Sequence, residues 1–209
     1  LKEGKRTNHE QRAVIAHEME HAIQHQHFGS IPENLMDDDN LLALRAVIEG
    51  DAQVVFAGSL LPRWGLRRTL LRITAEMKDK VSHGLKDSPA LRKSPIIVQD
   101  KLMFPYESGM SYEAEMFRIG GWSLVNKTFT NPPVSTEQIL HPNKYLAGEL
   151  PIPVDTIDAP EGFTLVSQGK VGELMIRSVL RQCLAENVAS AAAQGWGGDS
   201  YSVVKNVKG

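Results

Sequence analysis

A chain of 209 residues with 42% hydrophobic and 23% charged residues has the makeup of one medium globular domain, which excludes the disordered and fibrous classes. A formal net charge of −2 offers no basic field, so neither nucleic acid nor an anionic membrane surface is an expected partner. No apolar stretch reaches the roughly 18 residues that a membrane span needs, so no transmembrane segment is expected.

From Glu10 to Phe28 the apolar residues Val14, Ile15, Ala22 and Ile23 fall at helical spacing, with no Pro or Gly until Gly29. This predicts a first helix. Asp39 or Asn40 is placed to cap a second helix, running from Leu41 to about Leu61. The acidic run Asp37, Asp38, Asp39 reads as capping and solvation, with a calcium site as its rival. Dense hydrophobicity around Val47, Ile48, Val54, Val55 and Phe56 makes the second helix a core helix. Gly50 within it costs about 1 kcal/mol relative to Ala, which implies close backbone approach by a neighbour. Leu66 to about His83 reads as a third helix whose basic face is solvated, and Ile96 to Met103 and Ser111 to Lys127 as two more. Asn131, Pro132 and Pro133 then break the chain, and Ser135 or Thr136 caps a short turn ending at His141 and Pro142. Residues 151–165 read as extended, 171–193 as a helix, and Tyr201 to Val207 as a strand. The one cysteine, Cys183, cannot form an internal disulfide and is expected to be a buried thiol in the apolar run 180–184.

The sharpest chemical signal is H-E-M-E-H at 17–21, inside the first predicted helix. Residues four apart share one helix face, so His17 and His21 can turn both imidazoles toward one zinc ion, with Glu18 beside the open coordination position. A carboxylate there is placed to take a proton from zinc-activated water and pass it to a leaving amine. Catalytic zinc takes three protein ligands, and three residues compete for the third place. His25 continues the ladder, but His17 and His25 stand about 12 Å apart along a straight helix. His27 has the metzincin spacing, but that arrangement needs a glycine where Gln24 stands. Glu49 is an acid in an otherwise apolar helix and needs a buried partner, which a metal or an arginine can provide. Small neighbours at Ala46, Gly50 and Ala52 suit close packing of that helix on the motif helix, and Asp51 is placed to orient a ligand imidazole.

These residues resemble the gluzincins, thermolysin-like zinc peptidases in which two histidines of the motif helix and a glutamate of a following helix bind zinc. The resemblance implies those roles for His17, His21 and Glu49, with Glu18 as the base. More narrowly, H-E-M-E-H-A-I-Q-H-Q-H-F at 17–28 and I-E-G-D-A at 48–52 look like a group of bacterial minimal gluzincin-like proteins. P-P-V-S-T-E-Q-I-L-H-P at 132–142 and G-W-G-G-D at 195–199 also look typical of it, so the resemblance covers most of the chain. One departure is Gln53, where thermolysin's second motif has an Asp that Asp51 would have to replace. Gluzincins also use a Tyr or His to stabilise the oxyanion, which implies His141, then Tyr106, with Tyr112 as a further candidate.

The expected architecture is one α+β, predominantly helical, zincin-like domain over 1–209, with a small sheet at one edge. Thermolysin-like folds place a sheet before the motif helix, whereas only residues 1–8 precede it here. That sheet is therefore reduced, missing, or supplied by the C-terminal strand. The leading expected function is a zinc-dependent peptidase acting on a peptide or protein substrate. A zinc-stabilised binding or scaffold domain without turnover is the alternative, and hydrolysis of a non-peptide amide is a third. The start at Leu1 rather than Met suggests a piece of something longer, and the resemblance implies an extracytoplasmic or secreted setting.

Overall fold

The computed structural model describes residues 7–29, 37–60 and 88–206. Their fold is predominantly helical with one small antiparallel sheet, an α+β composition. The elements are α1 (His9–Phe28), α2 (Asp38–Ser59), α3 (Pro89–Lys93), α4 (Ile96–Thr130), α5 (Thr136–Leu140), α6 (Pro142–Ala147), β1 (Phe163–Gly169), α7 (Gly172–Leu180), α8 (Glu186–Ala193) and β2 (Tyr201–Asn206). The helix expected over residues 66–83 lies outside the described residues. No described helix is long and apolar enough to cross a membrane.

The chain divides into two compact units. The first takes, among the described residues, 7–29, 45–60, 88–93 and 103–132, and the second takes 37–44, 94–102 and 133–206.

In the first unit α1 starts at a capping box, in which Asn8 accepts from the Gln11 backbone N–H while the Gln11 side chain accepts from that of Asn8. It ends at Gly29, whose φ of 74° is a glycine conformation. The core of this unit packs Val54 and Ala57 of α2 against Met110 and Ala114 of α4, flanked by Phe56 and Phe117. Gly50 does permit a close approach, but the neighbour is α4 rather than the motif helix. A Cβ on Gly50 would collide with the Gly109 backbone, lying 2.8 Å from its Cα, and a Cβ on Gly109 would lie 2.8 Å from the carbonyl carbon of Ala46. The same crossing corrects the expected pair of helices between 96 and 127. The helix runs on through Pro105 and Gly109, because buried Met103, Phe104 and Met110 hold this stretch in place, and it breaks at Gly121, with φ 63° and ψ −159°.

In the second unit each member of the acidic run has a partner. Asp37 accepts from the Asn40 backbone N–H at 2.9 Å and pairs with Lys170 at 2.9 Å. Asp38 accepts from the Tyr201 hydroxyl at 3.0 Å. Buried Asp39 accepts from the Thr136 N–H at 3.1 Å and its hydroxyl at 2.5 Å. The cap expected of Asp39 or Asn40 is thus provided by Asp37, and Asp39 joins α2 to α5. Asp199, the last residue of G-W-G-G-D, accepts from the Val171 and Gly172 N–H groups at 2.6 and 2.9 Å, opening α7, and from Trp196 Nε1 at 2.6 Å. The helix expected over 171–193 is interrupted between α7 and α8, and Cys183 is exposed in that turn rather than buried. β1 overlaps the stretch expected to be extended only at 163–165, continues beyond it to Gly169, and pairs with β2 from Phe163↔Asn206 to Gly169↔Tyr201. The C-terminal strand therefore has its sheet partner in this second unit.

Candidate metal centre

The i, i+4 spacing on α1 brings the Nε2 atoms of His17 and His21 to 3.1 Å, with the rings edge to face at 88°. From α2, Glu49 extends Oε2 to 3.5 Å from His17 Nε2 and 3.6 Å from His21 Nε2. These donor atoms all lie within 4.8 Å of one another, and among the described residues they form a group able to hold a metal ion. Oε2 of Glu49 is buried with no hydrogen-bond partner among the described residues, and its approach to both imidazoles is longer than a hydrogen bond. An anionic oxygen in that state costs free energy that a cation between the three groups would recover. The electrostatics agree. The Glu49 carboxylate raises the His17 imidazole above its ordinary range despite the opposing effect of burial, so without a metal the cluster draws in a proton.

Further contacts hold the His21 imidazole from behind, whereas His17 Nδ1 is buried with no hydrogen-bond partner among the described residues. His21 Nδ1 lies 3.0 Å from Gln24 Oε1, and Gln24 Nε2 donates to Asp51 Oδ2 at 2.9 Å and to the Ile48 carbonyl at 3.1 Å. The sequence leads one to expect Asp51 to orient an imidazole itself, but Gln24 stands between them, because from α2 the Asp51 carboxylate reaches only as far as the Gln24 amide. Burial pushes Asp51 up to about 6, against the lowering effect of the Gln24 bond. The Ala52 carbonyl lies on the His17 side and also raises that ring. Behind them, Glu113 is fully buried, held well above the carboxylate range by desolvation, and accepts from the Thr128 hydroxyl at 2.9 Å. The whole of I-E-G-D-A is thus engaged in building the site. Ile48 and Asp51 anchor Gln24, Glu49 faces the histidines, Gly50 admits α4, and Ala52 lies beside His17.

Glu18 is exposed on α1 beside the cluster. Tyr106 of α4 is half-buried in the same unit. Desolvation first, then the charges of Glu49 and Glu18, hold its phenol above the ordinary range, so it is a neutral O–H donor near neutral pH. The other candidates are placed differently. Tyr112 is fully buried, while His25 and His27 are exposed, His27 tilted against Phe28 at 6.3 Å. His141 belongs to the second unit, where its Nε2 lies 2.9 Å from Glu173 Oε1. The sequence alone does not single out Gln24, although its place three residues after His21, on the same helix face, is the available signal.

No protein family, curated protein or solved structure matches this chain.

Proposed function

We propose that His17, His21 and Glu49 bind zinc and that the chain is a gluzincin-type peptidase acting on a peptide or protein substrate. The observation that carries this reading is the convergence of two imidazole nitrogens and a buried, hydrogen-bond-free carboxylate oxygen within 4.8 Å, beside Glu18. Two nitrogens and one oxygen from two helices are a donor set suited to zinc, and three protein ligands leave the fourth position of a tetrahedral ion to water or substrate. When bound there, zinc supplies Lewis-acid polarisation of a carbonyl and activation of water near neutral pH. Glu18, next to His17 and open to solvent, accepts the proton of the attacking water and returns it to the leaving amine. Tyr106 donates its O–H to the carbonyl oxygen as negative charge develops there. His141, the first oxyanion candidate from the sequence, is engaged with Glu173, so we assign the role to the next, Tyr106.

Glu18→Gln tests the reading, because it removes the base and leaves the three ligands. The expected result is unchanged zinc content with peptide cleavage lowered by at least about 100-fold, the lower range for a general base. Cleavage at the wild-type rate would remove Glu18 from the mechanism, and zinc binding with no cleavage by either protein would favour a zinc-stabilised binding domain.

A further inference from the structure

We infer that Gln24 is a positioning residue that fixes the tautomer of His21 and so prepares its Nε2 as a ligand. This rests on the zinc reading of the same cluster. Each polar atom of the Gln24 side chain has a determined role. Its two amide hydrogens have two partners, Asp51 Oδ2 at 2.9 Å and the Ile48 carbonyl at 3.1 Å, and the backbone carbonyl can only accept. The amide is therefore oriented with Oε1 toward His21, and an amide oxygen only accepts. At 3.0 Å the hydrogen between them belongs to His21 Nδ1. In the neutral ring Nε2 then keeps its lone pair, directed at His17 Nε2 and Glu49 Oε2. Reversing the amide would place NH2 against Nδ1 and leave oxygen facing the Ile48 carbonyl, which burial of Gln24 makes costly.

The arrangement connects the two helices as well as setting the ring. α1 supplies His21 and Gln24 three residues apart on one face, and α2 supplies the Ile48 carbonyl and the Asp51 carboxylate from either side of Glu49 in sequence. The bond that orients the histidine thus also sets the register of the glutamate's helix against it. Ligand-bound histidines ordinarily give their second nitrogen to a carboxylate, carbonyl or water. Here a neutral amide takes that place and passes the interaction on to a carboxylate.

The test uses the full chain in its metal-free form, with nitrogen-labelled histidine and long-range proton–nitrogen correlation spectra recorded about two pH units above the ordinary imidazole pKa. The wild type is expected to hold His21 as the Nδ1–H tautomer, and Gln24→Ala to lose that bias with helix content retained. Zinc affinity, read by competition with a chromophoric chelator, is expected to fall about 10- to 100-fold in Gln24→Ala. A wild-type His21 protonated at Nε2 overturns the inference outright, whatever the variant does. Unchanged affinity in Gln24→Ala overturns it too. If the wild type binds no zinc but shows the Nδ1–H tautomer, lost in Gln24→Ala, the positioning role stands and the zinc reading falls.

Discussion

Gly50 and Gly109 meet backbone to backbone where α2 crosses α4, with no space between them for a Cβ on either helix. The crossing is next to Glu49, so the depth at which α4 seats against α2 determines where that carboxylate stands relative to His17 and His21. An exposed helical Gly→Ala change ordinarily stabilises by about 1 kcal/mol. Here Gly50→Ala and Gly109→Ala are each expected to destabilise by about 3 kcal/mol, because the added methyl meets backbone that cannot rotate away. Urea denaturation checks the sign, and a stabilised variant would mean that the crossing is not as close as described.

A second prediction concerns acid and stability. Burial pushes Asp39 up to about 7 from 3.8, with the two Thr136 bonds only partly offsetting the effect. The folded state binds this proton more tightly than the unfolded chain, so the contribution is fully present below about pH 4 and lost as pH rises toward 7. Its size is on the order of 4 kcal/mol. Asp39→Asn should flatten the decline in stability between about pH 4 and 7. Denaturation midpoints across that window measure it, and an unaltered slope would assign the decline to other buried acids such as Glu173.

Asp199 is expected to hold the start of α7 together. Its carboxylate accepts three N–H groups, two from the α7 N-terminus and one from Trp196, which is itself buried. Asp199→Ala should lower stability by about 2–3 kcal/mol, the range for hydrogen bonds to a charged group, and shift Trp196 fluorescence toward the solvent-exposed range. Unchanged emission and stability would contradict this capping role.

Much of the first unit is legible from residue order alone, because its signals are local. The period of α1, its stop at Gly29 and the i, i+4 histidines all lie within one helix. Glu49 is legible because a carboxylate in an apolar run requires a partner. What escapes are relations between segments far apart in the chain. Pro105 and Gly109 fall in the gap between the two expected helices, but tertiary packing keeps them in one helix, and Gly109 serves the contact with Gly50. Gln24 reads as an ordinary polar position until Ile48 and Asp51 are brought to it from α2. The acidic run reads as solvated because Thr136, Lys170 and Tyr201, which engage it, lie 97 or more residues away in sequence. Cys183 reads as buried because an apolar run suggests continuous helix, whereas the chain turns there.

Zinc held by two imidazoles and one carboxylate is tested most directly by elemental analysis of the purified wild type beside Glu49→Ala, together with chelator-sensitive cleavage of a quenched peptide library by the wild type. The expected result is about one zinc per chain in the wild type, zinc lost or strongly weakened in the variant, and cleavage that stops on chelation and returns with zinc. A wild type that neither carries zinc nor takes it up when supplied, or a variant that binds it as tightly, would contradict the site.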